Sequence, residues 1–139
     1  PPPALAVFDA PNRETCVVQR PRTISPLQGL VLMNDPTYVE AARCLAERLL
    51  SDGGGDDRQR LGRAMQTILV RRATPAEVTV LAGVLEQQRE LFSKDPEAAL
   101  ALIAVGESTS SPETDSVELA AWTTVVATIL LTDEAIHKP

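Results

Sequence analysis

The sequence predicts an all-α fold, a compact bundle of five to six helices behind an extended polar N-terminal loop. Three observations predict it. Four places pair a short oxygen-bearing side chain with a following proline, at Ser25-Pro26, Asp35-Pro36, Thr74-Pro75 and Asp95-Pro96. Such a side chain accepts from the orphan amides of a first helical turn, and proline at the first helical position gives up an N–H that has no partner there anyway. Between these starts the apolar residues recur at helical rather than strand spacing. The apolar inventory is aliphatic and small. Phe8, Tyr38, Phe92 and Trp122 are the whole aromatic complement of 139 residues, which suits close-packed helices better than a sandwich.

The elements follow in order. Residues Phe8 to Thr23 read as a polar, proline-punctuated loop in which Arg13, Arg20 and Arg22 face Asp9 and Glu14. Ser25 to Gln28 has the spacing of a capping box and opens an apolar stretch. Asp35-Pro36 starts a helix to Leu50 with Val39, Ala42, Leu45, Ala46, Leu49 and Leu50 on one face and Cys44 well off it, among Glu40, Glu47 and Arg48. Ser51 to Gly55 is a flexible break. Asp56-Asp57 then caps a helix whose stripe is Leu61, Ala64, Met65, Ile68 and Leu69. Thr74 to Glu77 is a second capping box, and Val78, Leu81, Ala82, Leu85 and Phe92 mark the helix behind it. That helix has further apolar positions at Val80, Val84 and Leu91, so it is expected to be flanked on two sides. A short helix from Pro96 to Val105 ends at Gly106, read as a left-handed cap. Glu107 to Thr114 is a Ser/Thr/Pro loop, and Asp115 with Glu118 offers a third box. The last helix runs from about Ser116 to Leu131. Its Thr and Val content favours a strand, but its length, its cap and the spacing of Trp122, Val125, Val126 and Ile129 favour a helix.

Length sets one domain, large enough to bury a core. It divides into a docking loop over 1–24, a helical body over 25–131 and a tail over 132–139. The chain opens Pro1-Pro2-Pro3 with no initiator Met, so it is expected to be a piece of a longer, multi-domain protein. The net charge of −6 is uneven. Residues 56–72 hold five Arg against two Asp, and residues 73–139 three basic against eleven acidic groups. An acidic body repels nucleic-acid phosphates, so no nucleic-acid partner is expected. The Arg-rich stretch reads as a solvated helix face. No apolar run reaches the roughly 18–20 residues of a membrane span.

Catalytic schemes find little material. His137 is the single histidine and stands at the end of the chain, which removes Ser-His-Asp and Cys-His arrangements from this segment. Cys16 and Cys44 form no CxxC or CxxCH, so neither zinc nor covalent haem is expected here. Nothing in their spacing requires a disulfide, and both are expected as free thiols, Cys44 the more accessible. Gly53-Gly54-Gly55 lacks the Lys and the preceding strand of a phosphate loop. Asp133-Glu134 lies at a helix end, where negative charge is unfavourable, and is read as a fraying end. Arg71-Arg72 fits a helix C-terminus and needs no ligand.

The runs FDAPNRETC and RPRTISPLQGLVLMNDP, with Tyr38-Val-Glu-Ala-Ala-Arg43, the Arg71-Arg-Ala-Thr-Pro75 turn, Ala104-Val-Gly106 and Glu118-Leu-Ala-Ala-Trp122, resemble the C-terminal uncharacterised domain of planctomycete surface and cytochrome-c-associated proteins, the domain of unknown function 1553 family. The resemblance covers nearly the whole chain. It departs at Ile24, where the family tends to place Asn, and near Leu131-Thr-Asp133, where it tends to place Asn-Leu-Asp. It implies an exported location, periplasmic or cell-surface, and parents that often carry a cytochrome-c-like domain. Haem would then belong to another domain of the parent. The family has a cysteine where Cys16 stands and a small apolar residue where Cys44 stands, which argues against an obligatory pair.

Two functional readings follow. In the first the chain is a non-enzymatic interaction module that docks on other domains of its parent through residues 8–23. The candidate loop residues are Phe8, Asp9, Arg13, Glu14, Cys16, Arg20 and Arg22, joined by Asn34. In the second the same loop contributes polar groups to an enzyme site completed by an upstream domain acting on carbohydrate or on a redox partner. Carbohydrate contact is expected through the parent alone.

Overall fold

A computed structural model describes residues 34–136. Among these residues there are six helices and no strand: α1 Pro36–Ser51, α2 Asp57–Leu69, α3 Pro75–Lys94, α4 Pro96–Ile103, α5 Ser116–Leu130 and α6 Asp133–Ile136. The all-α expectation holds. The loop over 8–23 and the helix expected from Ser25 lie outside the described residues.

Each of the first five helices starts as its sequence prescribes. The Asp35 carboxylate accepts from the Thr37 amide at 2.8 Å, Asp56 from Gln59 at 2.9 Å and Asp95 from Ala98 at 3.1 Å. Thr74 and Glu77 form a full capping box: the Thr74 hydroxyl accepts from the Glu77 amide at 3.3 Å, and Glu77 Oε2 accepts from the Thr74 amide at 2.8 Å. Asp115 caps α5 by accepting from the Glu118 amide at 3.2 Å. The reciprocal half of that expected box goes elsewhere, because Glu118 turns to Arg89 and Trp122.

Helix α5 is the axis of the bundle. Leu119, Ala120, Ala121, Trp122, Thr123, Val125, Val126 and Ile129 are all buried on it. Thr128 is its one exposed residue, and a helix with so little polar face carries no clear amphipathic signal. Its β-branched residues stay helical because their hydroxyls bond within the helix. Thr123 Oγ1 donates to the Leu119 carbonyl at 2.7 Å, and Thr124 Oγ1 to that of Ala120 at 3.0 Å. Ala42 and Ala46 on α1, Ala64 on α2 and Ala99 on α4 are fully buried against this core. Small side chains at those places let neighbouring helices come close.

Three expectations need correction. No described element covers the second apolar stripe of α3: Val80 is 66% and Leu91 58% exposed, while Val84 is half-buried. Gly106 does not end α4. That helix stops at Ile103, with Ala104 as its cap in right-handed geometry. Gly106 adopts φ +101° two residues later, where an added Cβ would stand 2.6 Å from the Glu40 side chain. The glycine answers a close approach from α1. Glu134 does not fray; it sits in the short helix α6 and is held by Arg71.

The end of α2 carries an unfavourable backbone. Val70 occupies the left-handed region at φ 58°, ψ 32°, which a β-branched residue adopts against steric resistance. Its side chain is 76% exposed, so burial does not offset the strain. Val70→Gly should therefore raise stability by about 0.5–1 kcal/mol. Urea melts of the two proteins check this, and an unchanged or lowered midpoint would show that the left-handed cap carries no strain.

Candidate functional site

Of the residues singled out in the sequence, Phe8, Asp9, Arg13, Glu14, Cys16, Arg20 and Arg22 lie outside the described residues. Asn34 is described and exposed, immediately before the Asp35 cap of α1. The charged clusters among the described residues are organised by three arginines that the sequence reading passed over as site residues: Arg43, Arg71 and Arg89.

Arg43 is fully buried on α1. Its Nη2 donates to the Ser108 carbonyl at 3.0 Å and to Ser108 Oγ at 2.5 Å, and its Nη1 donates to Glu47 at 3.1 Å. Glu40 and Glu47, one turn before and one turn after, grip the same loop. Glu40 Oε1 accepts from the Ser108 amide at 2.7 Å, and Glu47 Oε1 from the Ser111 amide at 3.1 Å. The Ser108 hydroxyl, followed by the amides of Ser108 and Glu107, holds the Glu40 carboxyl below the usual carboxylate range. The result is a clamp between one face of α1 and the 107–111 loop. Cys44, a free and half-buried thiol, stands beside it with Sγ 3.9 Å from Ser108 Oγ. The Arg43 Nε is buried without a hydrogen-bond partner among the described residues.

Arg89 joins three helices. Its Nε and Nη2 meet the two Glu118 oxygens at 2.9 and 2.5 Å, in the bidentate geometry that suits a guanidinium. Its Nη1 donates to Asp57 at the start of α2, at 2.8 Å, and to Glu86 at 2.5 Å. Glu118 Oε1 also accepts from the Trp122 indole at 3.0 Å. The one polar atom of the buried tryptophan is thus tied to the same carboxylate. Glu118, with Asp57 and Glu86 behind it, raises the Arg89 pKa.

Arg71, just past α2, reaches both ways. It takes Glu134 of α6 through Nε at 2.6 Å and Nη2 at 2.8 Å, and Glu77 of α3 at 2.7 and 3.0 Å. Arg71, followed by the Thr74 amide, lowers the Glu77 pKa to about 2. Glu77 thereby serves the capping box and the ion pair together. A cavity of about 270 Å³, lined by Met65, Leu69, Leu81 and Ile129, opens beside this cluster.

The chemistry of these clusters is adhesive. In each, the guanidinium meets carboxylates or a serine of the same chain in positions that fix one element on another. No group of three or more His, Cys, Asp or Glu among the described residues is placed to hold a metal ion, and no described helix is long and apolar enough to cross a membrane. Arg43 had a detectable signal. By helical phase it falls between Val39, Ala46 and Leu50 on one side and Glu40 and Glu47 on the other, which places a charge at the edge of a buried stripe.

These features define an all-helical module whose elements are fastened together by arginine–carboxylate clusters. The family model described as a protein of unknown function (DUF1553) matches residues 1–85, more than half of the chain, and the chain belongs to that family. The match takes in Tyr38-Val-Glu-Ala-Ala-Arg43 and the Arg71-to-Pro75 turn, and so includes two of the three arginines. The motifs at Ala104-Val-Gly106 and Glu118 to Trp122 lie beyond it. No curated protein and no solved structure matches the chain.

Arg43→Met keeps the stem and removes the charge, leaving Glu40 and Glu47 without their common partner. It should destabilise the fold by about 3 kcal/mol and accelerate amide exchange across residues 107–114. An unchanged urea midpoint would show that the clamp is ornamental.

The acid side of the stability profile follows from Glu77 and Glu40. A carboxyl whose folded pKa is depressed adds stability that is complete above its ordinary value of 4.5. For Glu77 that stability is lost as the pH falls from there towards about 2. Glu77→Gln should lower the urea midpoint at neutral pH, and the gap to the parent protein should close below pH 3. A gap independent of pH would assign the effect to packing instead of charge.

Proposed function

We propose that the chain is a non-enzymatic helical module of an exported multi-domain protein, docking on neighbouring domains through residues 8–23. One observation carries this reading. Arg43, Arg71 and Arg89 are each taken up by partners of the same chain. These three hubs thereby serve rigidity, and a rigid body with an N-terminal polar segment is what a docking element needs. The candidate loop combines Arg13, Arg20 and Arg22 with apolar Phe8, Val17 and Val18, a mixture of charged rim and apolar anchors found at protein interfaces. Export rests on the family resemblance, as does the company of a cytochrome-c-like domain.

Hydrogen exchange on the 139-residue chain alone and within its full-length parent tests the proposal. Amides of residues 8–23 should exchange more slowly in the parent, while those of α5 should be the same in both. Equal exchange over 8–23 would remove the docking role.

A further inference from the structure

The outer side of α2 gathers three arginines that no carboxylate among the described residues holds. Gln59, Arg63 and Gln66 recur at intervals of four and three residues, so they share one stripe, turned away from the buried Leu61, Ala64 and Met65. An open hollow lies on each flank of that stripe. One, of about 560 Å³, faces the end of α1, and the other, of about 600 Å³, faces residues 72–73 and the start of α3. Arg63, Gln66 and Asp52 line both, Arg48 stands in the first and Arg72 in the second. Arg48, Arg63 and Arg72 make no ion pair among the described residues. Arg63 donates to the Gly54 carbonyl, a neutral acceptor that positions the guanidinium and leaves its charge unbalanced. Gly62 lines the second hollow, and a Cβ there would meet nothing. Alanine would strengthen α2 at that place; glycine keeps the hollow open down to the backbone.

We propose that this face takes an acidic peptide segment of a partner protein. The two hollows set three guanidinium groups against the single carboxylate of Asp52, on a chain whose net charge is −6. The rest of the chain does not reverse that local sign, since residues 1–33 and 137–139 hold Arg13, Arg20, Arg22 and Lys138 against Asp9 and Glu14. Charges more than about 8 Å away are largely screened at physiological salt, so the local excess decides what approaches. A guanidinium takes a carboxylate through two parallel N–H bonds, and arginine clusters are a recurrent means of reading acidic motifs. Adjoining hollows of this size suit an extended chain better than one small anion. Gln59, Gln66 and Thr67 offer amide and hydroxyl groups that can pair with a peptide backbone. No aromatic side chain lines either hollow, so neither a sugar ring nor a base has a face to stack on. This site does not rest on the role of residues 8–23.

Fluorescence anisotropy tests this, with a labelled peptide of alternating Glu and Leu titrated with the 139-residue chain, beside the same peptide with Gln in place of Glu. The Glu peptide should bind, less tightly as salt is added, and the Gln peptide should not. Arg48→Gln and Arg72→Gln should each weaken binding by about threefold. Both side chains are exposed, so circular dichroism should show the helices unchanged. Arg58→Gln is the same change of charge at an exposed position outside both hollows, and it should leave binding as it was. Absence of binding, equal binding of the two peptides, or an equal effect of all three substitutions overturns the proposal. Complete displacement of the peptide by inorganic phosphate at matched ionic strength overturns it too, and assigns the hollows to a small oxyanion.

Discussion

The burial of most of α5 is the constraint on which the rest of this structure depends. A helix in that position offers little surface to water, so the polar groups on its buried faces must find partners within the protein. The threonine hydroxyls turn back to carbonyls of their own helix. The Trp122 indole and the Glu118 carboxylate bond to each other. That leaves Glu118 with a charge to balance, and Arg89 on α3 balances it. One ion pair at the rim of the core is therefore a consequence of burying a tryptophan on a central helix. Through Asp57 the same guanidinium also ties the first turn of α2 to α3.

Enclosure also explains why arginine rather than lysine occupies the three hubs. The core is poor in aromatic rings and rich in alanine, so the helices lie close and their connecting segments must be drawn in tightly. A guanidinium offers five donors in a fixed plane and can hold two acceptors at once. Arg43 uses this to join two carboxylates of α1 to the 107–111 loop, and Arg71 to join α3 to α6. An ammonium group could neutralise the same carboxylates but could not fix their relative orientation. Salt screens such pairs where they face water and less where they are covered. The fully buried Arg43 is accordingly the hub whose removal the fold can least absorb.

The sequence made some of this legible and concealed the rest for a physical reason. Helix starts could be read because a cap is a bond between residues two or three apart, and its chemistry is written in adjacent letters. All five described caps were of this kind. Helix ends and partners were harder because they are set from a distance. Gly106 was recognisable as a glycine that matters, but its requirement comes from Glu40, far away in the chain. Val70 ends α2 in a conformation that its own side chain disfavours, so no local rule could have placed a left-handed cap there. Glu134 looked superfluous at a helix end until Arg71 was seen to reach it. Local charge sums describe density and not pairing, which is why the excess of arginine over 56–72 read as a solvated face although Arg71 is a bridge.

The outer stripe of α3 belongs to the same account. Its periodicity was legible, and so was the inference that something should flank it; among the described residues nothing does. A bundle built around one enclosed helix gives each surrounding helix a single inward face. A second apolar face on such a helix then has no partner among the described helices. Val80 and Leu91 are exposed, and Gly83 weakens the helix between them without relieving any contact among the described residues. Folding alone would favour polar residues and an alanine at those places. Their presence is a departure from what the isolated bundle needs. A departure that repeats at heptad spacing along one helix points outward, to a contact beyond the described helices.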